Sequence, residues 1–193
     1  MDANEPQASL PDDAVWVELT DELLASDEGG RWRELADGFK PAKHREGSKM
    51  ADWLRGCVHD GGVPTKTRVV HNDELLGFFA AETVRYLVSN RPRPLSAFSR
   101  RLGIGSEGSV ETGLLLSSIV RAQGTGKGFG RFLIEEAVGL ALELESERIT
   151  GILVEPANPR LRQMWQDTYH FAPLVRPQYL HLPLKVWEEL RDR

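Results

Sequence analysis

Apolar positions follow two periods along this chain, and each change of period marks an element. Val15, Trp16 and Val17 head a short strand from Ala14 to Leu19, and Thr20-Asp21-Glu22 offers a helix N-cap with acids in the first turn. Gly29-Gly30 reads as a break, after which Trp32, Leu35 and Phe39 mark a short amphipathic helix. Met50, Trp53, Leu54 and Cys57 share one face of a helix over 49–58, which Gly61-Gly62 ends. Thr67–His71 and Leu75–Val88 read as strands joined by a turn at Asn72-Asp73, a hairpin. Residues 89–110, with Pro92, Pro94 and a scatter of glycine and serine after Arg101, read as a long loop; such loops often bind ligands or act as lids.

Glu111–Val120 is a leucine-rich strand, and here the pattern changes most sharply. The apolar run ends at Val120, glycines then alternate with Thr125, Lys127 and Phe129, and from Gly130 to Glu147 Leu133, Ala137, Leu140, Ala141 and Leu144 recur at helical spacing. Ile149–Val154 is a further strand, stopped by Pro156, and Asn158–Asp167 a helix with Pro159 in its first turn. Phe171–Val175 and Tyr179–Leu182 pair as a last hairpin, and Pro183–Arg191 is a terminal helix. A meander followed by strand–helix–strand–helix–strand predicts an α/β (α+β) sheet domain over 14–193, behind a disordered tail over 1–13.

Composition narrows this only a little. The chain has 193 residues, long enough for a real core in one domain. Its net charge of −5 argues against a dedicated nucleic-acid binder, although a local basic patch is compatible with it. The single cysteine, Cys57, allows no internal disulfide and suits a reducing compartment, the cytoplasm. The acidic, polar start has no signal-peptide pattern, and no apolar run is long enough to span a membrane. His44, His59, His71, His170 and His181 show no metal-ligand spacing, so no metal is expected. Gly105-Ser106-Glu107-Gly108-Ser109 does not match a serine-hydrolase elbow.

The candidate chemistry lies in the glycine loop. Glycines admit a close backbone approach, and a helix start offers free N–H groups at the positive end of a dipole, an arrangement suited to pyrophosphate. Lys127 and Arg131 add positive charge. A Walker A loop fails, because Gly126-Lys127 is followed by Gly128 and the upstream glycine falls at Arg121. The dinucleotide pattern fails as well, meeting Phe129 or Arg131 where its last glycine belongs.

Val120, then Thr125-Gly126-Lys127-Gly128-Phe129-Gly130-Arg131, resembles the acetyl-coenzyme A loop of the GNAT acyltransferases, which runs Gln or Arg, two residues, Gly, one residue, Gly or Ala. Gly128 and Gly130 take the glycine places, and Thr125 stands where Gln or Arg is usual. A register starting at Gln123 restores the Gln but loses the strand-to-loop spacing. A second segment, Asn158 to Trp165 and on to Phe171, resembles the family's "Asn-x-x-Ala-x-x-Phe-Tyr … Gly-Phe", with Leu161, Met164 and Trp165 at the Ala, Phe and Tyr places. The resemblance covers residues 67–182 or so. It implies a mixed, mostly antiparallel central sheet flanked by helices, with a splayed parallel strand pair at the coenzyme site.

What the resemblance implies chemically is acetyl transfer from acetyl-coenzyme A to an amine of a small molecule or a protein. Residues 126–130, with Lys127 and Arg131, hold the pyrophosphate; Thr125, Phe129, Asn158 and Trp165 complete the cofactor-binding set. Ile119 and Val120 inherit the strand that pairs with the pantetheine, and a backbone N–H there faces the oxyanion. Trp165 stands at the usual general-acid tyrosine, and an indole N–H is too weak an acid to replace a phenol. Tyr169, one turn later, is the substitute, or else packs in the core. For the base, Glu82 interrupts an apolar stretch of strand, a setting that raises a carboxyl pKa. Glu111 and His71 are further candidates, though Glu111 lies roughly 30 Å of extended strand from Val120.

The N-terminal half, from Phe39 through the 49–58 helix to Leu76-Gly77-Phe78, loosely resembles GNAT toxins of toxin–antitoxin pairs, which acetylate the amino acid of charged tRNA. Arg91, Arg93, Arg100 and Arg101 suit an RNA backbone. That resemblance implies an antitoxin partner. A third reading keeps coenzyme A binding with little catalysis, as Trp165 suggests. Leu182, Val186 and Leu190 offer a face for a homodimer.

Overall fold

A computed structural model describes residues 10–43, 45–64, 66–88, 110–126 and 128–191. Lys127, the long loop with Arg91, Arg93, Arg100 and Arg101, and the first nine residues of the expected tail lie outside them. Seven strands are present among the described residues: β1 (Val15–Leu19), β2 (Thr67–His71), β3 (Leu75–Leu87), β4 (Val110–Arg121), β5 (Ile149–Val154), β6 (Ala172–Pro173) and β7 (Leu180–Pro183). They hydrogen-bond in the order β1-β2-β3-β4-β5-β7-β6. The sheet is mostly antiparallel, with β4 and β5 as its parallel pair. The helices are α1 (Asp21–Ala25), α2 (Gly29–Gly38), α3 (Arg45–Asp60), α4 (Phe129–Glu143), α5 (Pro159–Tyr169) and α6 (Leu184–Arg191), with a 3-10 turn at Glu145–Glu147.

Local chemistry accounts for some of these boundaries. The Thr20 hydroxyl accepts the Leu23 N–H at 3.2 Å and starts α1. Gly61 and Gly62, at φ 82° and 80°, end α3. Gly29-Gly30 is not a break, as the sequence suggested, but the first turn of α2. A Cβ on Gly29 would sit 2.0 Å from the Leu24 carbonyl oxygen, so glycine is there because α2 begins against the end of α1.

The chain forms two compact units, Met1–Glu82 with Leu116–Leu140 and Thr83–Leu115 with Ala141–Arg193. In the first, successive strand residues serve opposite faces of the sheet, as the two-residue strand period requires. Val69, Phe78 and Val120 pack with Leu24, Trp32, Phe39 and Leu54 of the N-terminal segment. Val70 packs with Phe129 and Leu133 of α4, flanked by Ile119 and Phe132. Gly77 makes room for α4: a Cβ there would come within 3.0 Å of the Val120 carbonyl oxygen and 3.2 Å of the Phe129 ring. An ion pair between Arg68 and Glu136, 2.6 Å long and largely buried, ties β2 to α4.

In the second unit Tyr86, Leu153 and Leu174 form one buried cluster, with Val84, Leu115 and Tyr179 packed against them. A Cβ on Gly113 would lie 2.2 Å from Leu153 Cδ1 and 2.8 Å from Tyr86 Cε1. Gly113→Ala is therefore expected to destabilise the protein by about 1–3 kcal/mol, the cost of overpacking a tight core, read as a lower urea midpoint. An unchanged midpoint would show that this core yields freely. Leu182 is fully buried in this unit, so it does not belong to the dimer face expected for it.

Candidate functional site

β4 delivers the chain into the glycine loop, and the loop's first residues are pinned from both sides. The Ala122 N–H donates to the Leu76 carbonyl at 2.8 Å, the Gln123 N–H to the Lys40 carbonyl at 2.7 Å, and the Ala42 N–H to the Arg121 carbonyl at 2.9 Å. Gly124 and Gly128 take φ of 98° and 92°, left-handed values that exclude most side chains. The Phe129 N–H donates to Gly126 O at 3.3 Å and the Arg131 N–H to Gly128 O at 2.8 Å, which turns the chain into α4. Phe129 is buried under Gly77, an anchor for the first helical turn rather than a surface contact. Gly126 and Gly128 are exposed. Exposed glycine backbone ahead of a helix start suits a phosphate group.

Several side chains around the loop bond within the protein. The Thr125 hydroxyl donates to Ala122 O at 2.8 Å, so it serves the loop itself. Arg121 Nη1 donates to Thr125 O at 2.6 Å and to Thr125 Oγ1 at 3.2 Å. Arg131 Nε is paired with Glu135 Oε1 at 2.8 Å on the exposed side of α4. Arg121 had no role in the sequence reading; an arginine one residue past the last buried strand position was the available signal. A cleft of about 610 Å³ opens beside Ala122, Gln123 and Gly124, with Arg31, Glu34, Lys40 and Asp73 among the residues that line it.

The downstream motif lies in the second unit. Asn158 Oδ1 accepts the Leu161 N–H at 2.9 Å and caps α5, with Pro159 opening the helix. Trp165 is buried, its ring 5.0 Å from Phe171 and 5.3 Å from Tyr169 between centroids. Tyr169 is half-buried at the last position of α5, and His170 at φ 59° turns the chain away immediately after it.

The three base candidates fare differently. Glu82 is exposed, not enclosed by the apolar residues that precede it. His71 is buried, with Nδ1 2.8 Å from Asn72 O and its ring edge-on to Trp32. Glu111 accepts from Thr150 Oγ1 at 2.8 Å and from the Tyr86 hydroxyl at 3.3 Å.

Tyr86, absent from the sequence reading, is the centre of that last cluster. Burial pushes its phenol up to about 12, and the Glu111 carboxylate adds to the rise. His181 packs against the Tyr86 ring at 5.7 Å, and burial pushes its imidazole below the ordinary value. The Tyr86 phenol stays protonated in the folded state above the pH at which the unfolded chain ionises. Its contribution is therefore complete below pH 10 and lost as pH rises toward 12. Urea midpoints at about pH 9 and about pH 11.5 are expected to fall more in the wild type than in Tyr86→Phe; equal falls would remove Tyr86 from the alkaline transition. Among the described residues no group of three His, Cys, Asp or Glu side chains could hold a metal ion, and no helix is long and apolar enough to cross a membrane.

No protein-family model matches the chain, and no curated protein does. Solved structures match well. A tyrosine-to-phenylalanine variant of the toxin AtaT superposes with a TM-score of 0.64 at 17% identity, covering 99% of each chain. The same variant bound to the C-terminus of the antitoxin AtaR and acetyl-CoA matches at 0.61 and 17%, over 94% of this chain and 100% of that one. AtaT complexed with acetyl-methionyl-tRNAfMet matches at 0.61 and 18%, over 93% and 99%. At such identities the likeness is one of fold: this chain has the GNAT-like fold of these toxins.

Proposed function

We propose that this protein is an acetyl-coenzyme A-dependent N-acetyltransferase whose acceptor is the amino group of an aminoacyl-tRNA. The observation that carries the reading is the pinned, exposed glycine loop between β4 and α4. It stands in a fold shared over almost the whole chain with AtaT, a toxin solved with acetyl-CoA and with an acetylated aminoacyl-tRNA. The preference for charged tRNA over a small-molecule or protein amine rests on that complex.

In this reading the backbone of Gly126, Gly128 and Gly130, with Lys127, holds the coenzyme pyrophosphate. Ile119 and Val120 present strand backbone to the pantetheine and an N–H to the developing oxyanion. Asn158 fixes the start of α5, and buried Trp165 supports Tyr169, the phenol that protonates the leaving thiolate. Glu82, exposed on β3, or solvent takes the proton of the attacking amine. An acceptor of this kind places the protein in the cytoplasm, and an antitoxin is the partner it implies, as AtaR is for AtaT.

A screen for release of free thiol from acetyl-coenzyme A tests this, with charged tRNAs, polyamines and peptide amines as acceptors. Charged tRNA is expected to be the productive class. Turnover with peptide or small amines alone would replace the acceptor. Coenzyme binding without turnover on any acceptor would favour a non-catalytic binding protein, the reading that Trp165 at the usual tyrosine place supports.

A further inference from the structure

We infer that Arg121 is the phosphate ligand of the glycine loop, in place of Arg131. This rests on the coenzyme reading above. The Arg121 guanidinium spans the loop's neck, with Nη1 alone engaging Thr125 O at 2.6 Å and Thr125 Oγ1 at 3.2 Å. Its Nε and Nη2 donors meet no acceptor among the described residues, and no carboxylate pairs with it there. The side chain is half-buried, so its charge is less screened than one in open water. Arg131 is the opposite case: its Nε is spent on Glu135 at 2.8 Å and its side chain is 48% exposed.

A guanidinium held by one nitrogen and free at the other two is a fork with one tine fixed, suited to a phosphate oxygen pair. Thr125, with no charge of its own, orients the fork. Phosphate chemistry at this point has two sources in the coenzyme, the pyrophosphate and the 3′-phosphate.

Isothermal titration of the full chain with coenzyme A and with 3′-dephospho-coenzyme A tests the assignment. Arg121→Gln is expected to weaken coenzyme A about 10- to 100-fold, the range of a lost charge-assisted hydrogen bond, while Arg131→Gln stays within about twofold. An equal loss with both ligands assigns the pyrophosphate; a loss confined to coenzyme A assigns the 3′-phosphate. Arg121→Lys keeps the charge and is expected to recover part of the affinity, which a merely structural arginine would not require. It also carries the test if Arg121→Gln fails to fold, with about a 3- to 10-fold weakening expected. Affinity unchanged in the Arg121 variants, with loss in Arg131→Gln, overturns the inference and leaves the coenzyme reading intact. A wild type that binds neither ligand overturns the coenzyme reading itself.

Discussion

Gly128→Glu is expected to weaken coenzyme A binding by about 100-fold or more, some 2.8 kcal/mol, while the protein stays folded. Two effects add at this position. The backbone stands at φ 92°, where a side chain costs about 1–2 kcal/mol of strain. Relieving that strain reshapes the turn in which Gly128 O accepts the Arg131 N–H and α4 begins. The new carboxylate then stands where a phosphate is expected, and like charges repel most strongly out of bulk water. Gly128→Ala separates the two contributions, since it keeps the strain and omits the charge. Calorimetry on both variants, with circular dichroism to confirm folding, gives the answer. A glutamate variant that binds within about threefold of wild type would remove the loop from the coenzyme site. If the protein is a toxin, the same variant is expected to relieve growth arrest on expression.

Tyr169→Phe is expected to lower kcat about 100-fold with coenzyme affinity unchanged. General acid catalysis contributes about 10²–10⁴-fold, and a coenzyme A thiolate leaves readily enough to put this case at the low end. The choice of Tyr169 follows from its neighbours. Trp165 holds the place where the resemblance expects a phenol, and it is buried between Phe171 and Tyr169. Tyr169 is half-buried at the end of the same helix, with His170 turning the chain beside it. Phenylalanine preserves the ring contact with Trp165 and deletes the hydroxyl, so a role confined to ring packing predicts almost no change in kcat. A fall of less than about threefold would assign Tyr169 to packing; loss of the alkaline limb of the pH–rate profile would assign it to proton transfer.

Elements specified by local chemistry were legible in the sequence. β2 and β5 match their expected bounds because a short apolar run closed by Asn72 or Pro156 leaves little freedom. The cap at Thr20 is a short-range hydrogen bond and could be read from two or three residues; the like role of Asn158 was not read there. What failed depended on distant neighbours. Gly29-Gly30 looks like a break until the Leu24 carbonyl is placed against it. Glu82 looked enclosed because Phe78 to Ala81 are all buried, yet burial ends where the strand continues past them. Within the loop, glycine spacing marks the junction of β4 and α4, while the hold of Arg121 on Thr125 depends on how the loop folds back on itself. The Tyr86 cluster joins residues from β3, β4, β5 and β7, and no spacing along the chain announces it.

The clip between Arg121 and Thr125, with the backbone bonds to Leu76, Lys40 and Ala42 around it, bears on the entropy of association. Fixing one residue's backbone costs about 1–2 kcal/mol, a term that a floppy phosphate loop would meet only when its ligand arrives. Here the residues at the loop's neck have already given up that freedom during folding, at the expense of the protein's own stability. On the coenzyme reading proposed above, binding would begin from a neck that is already ordered. The coenzyme would then surrender its own motion and little of the neck's.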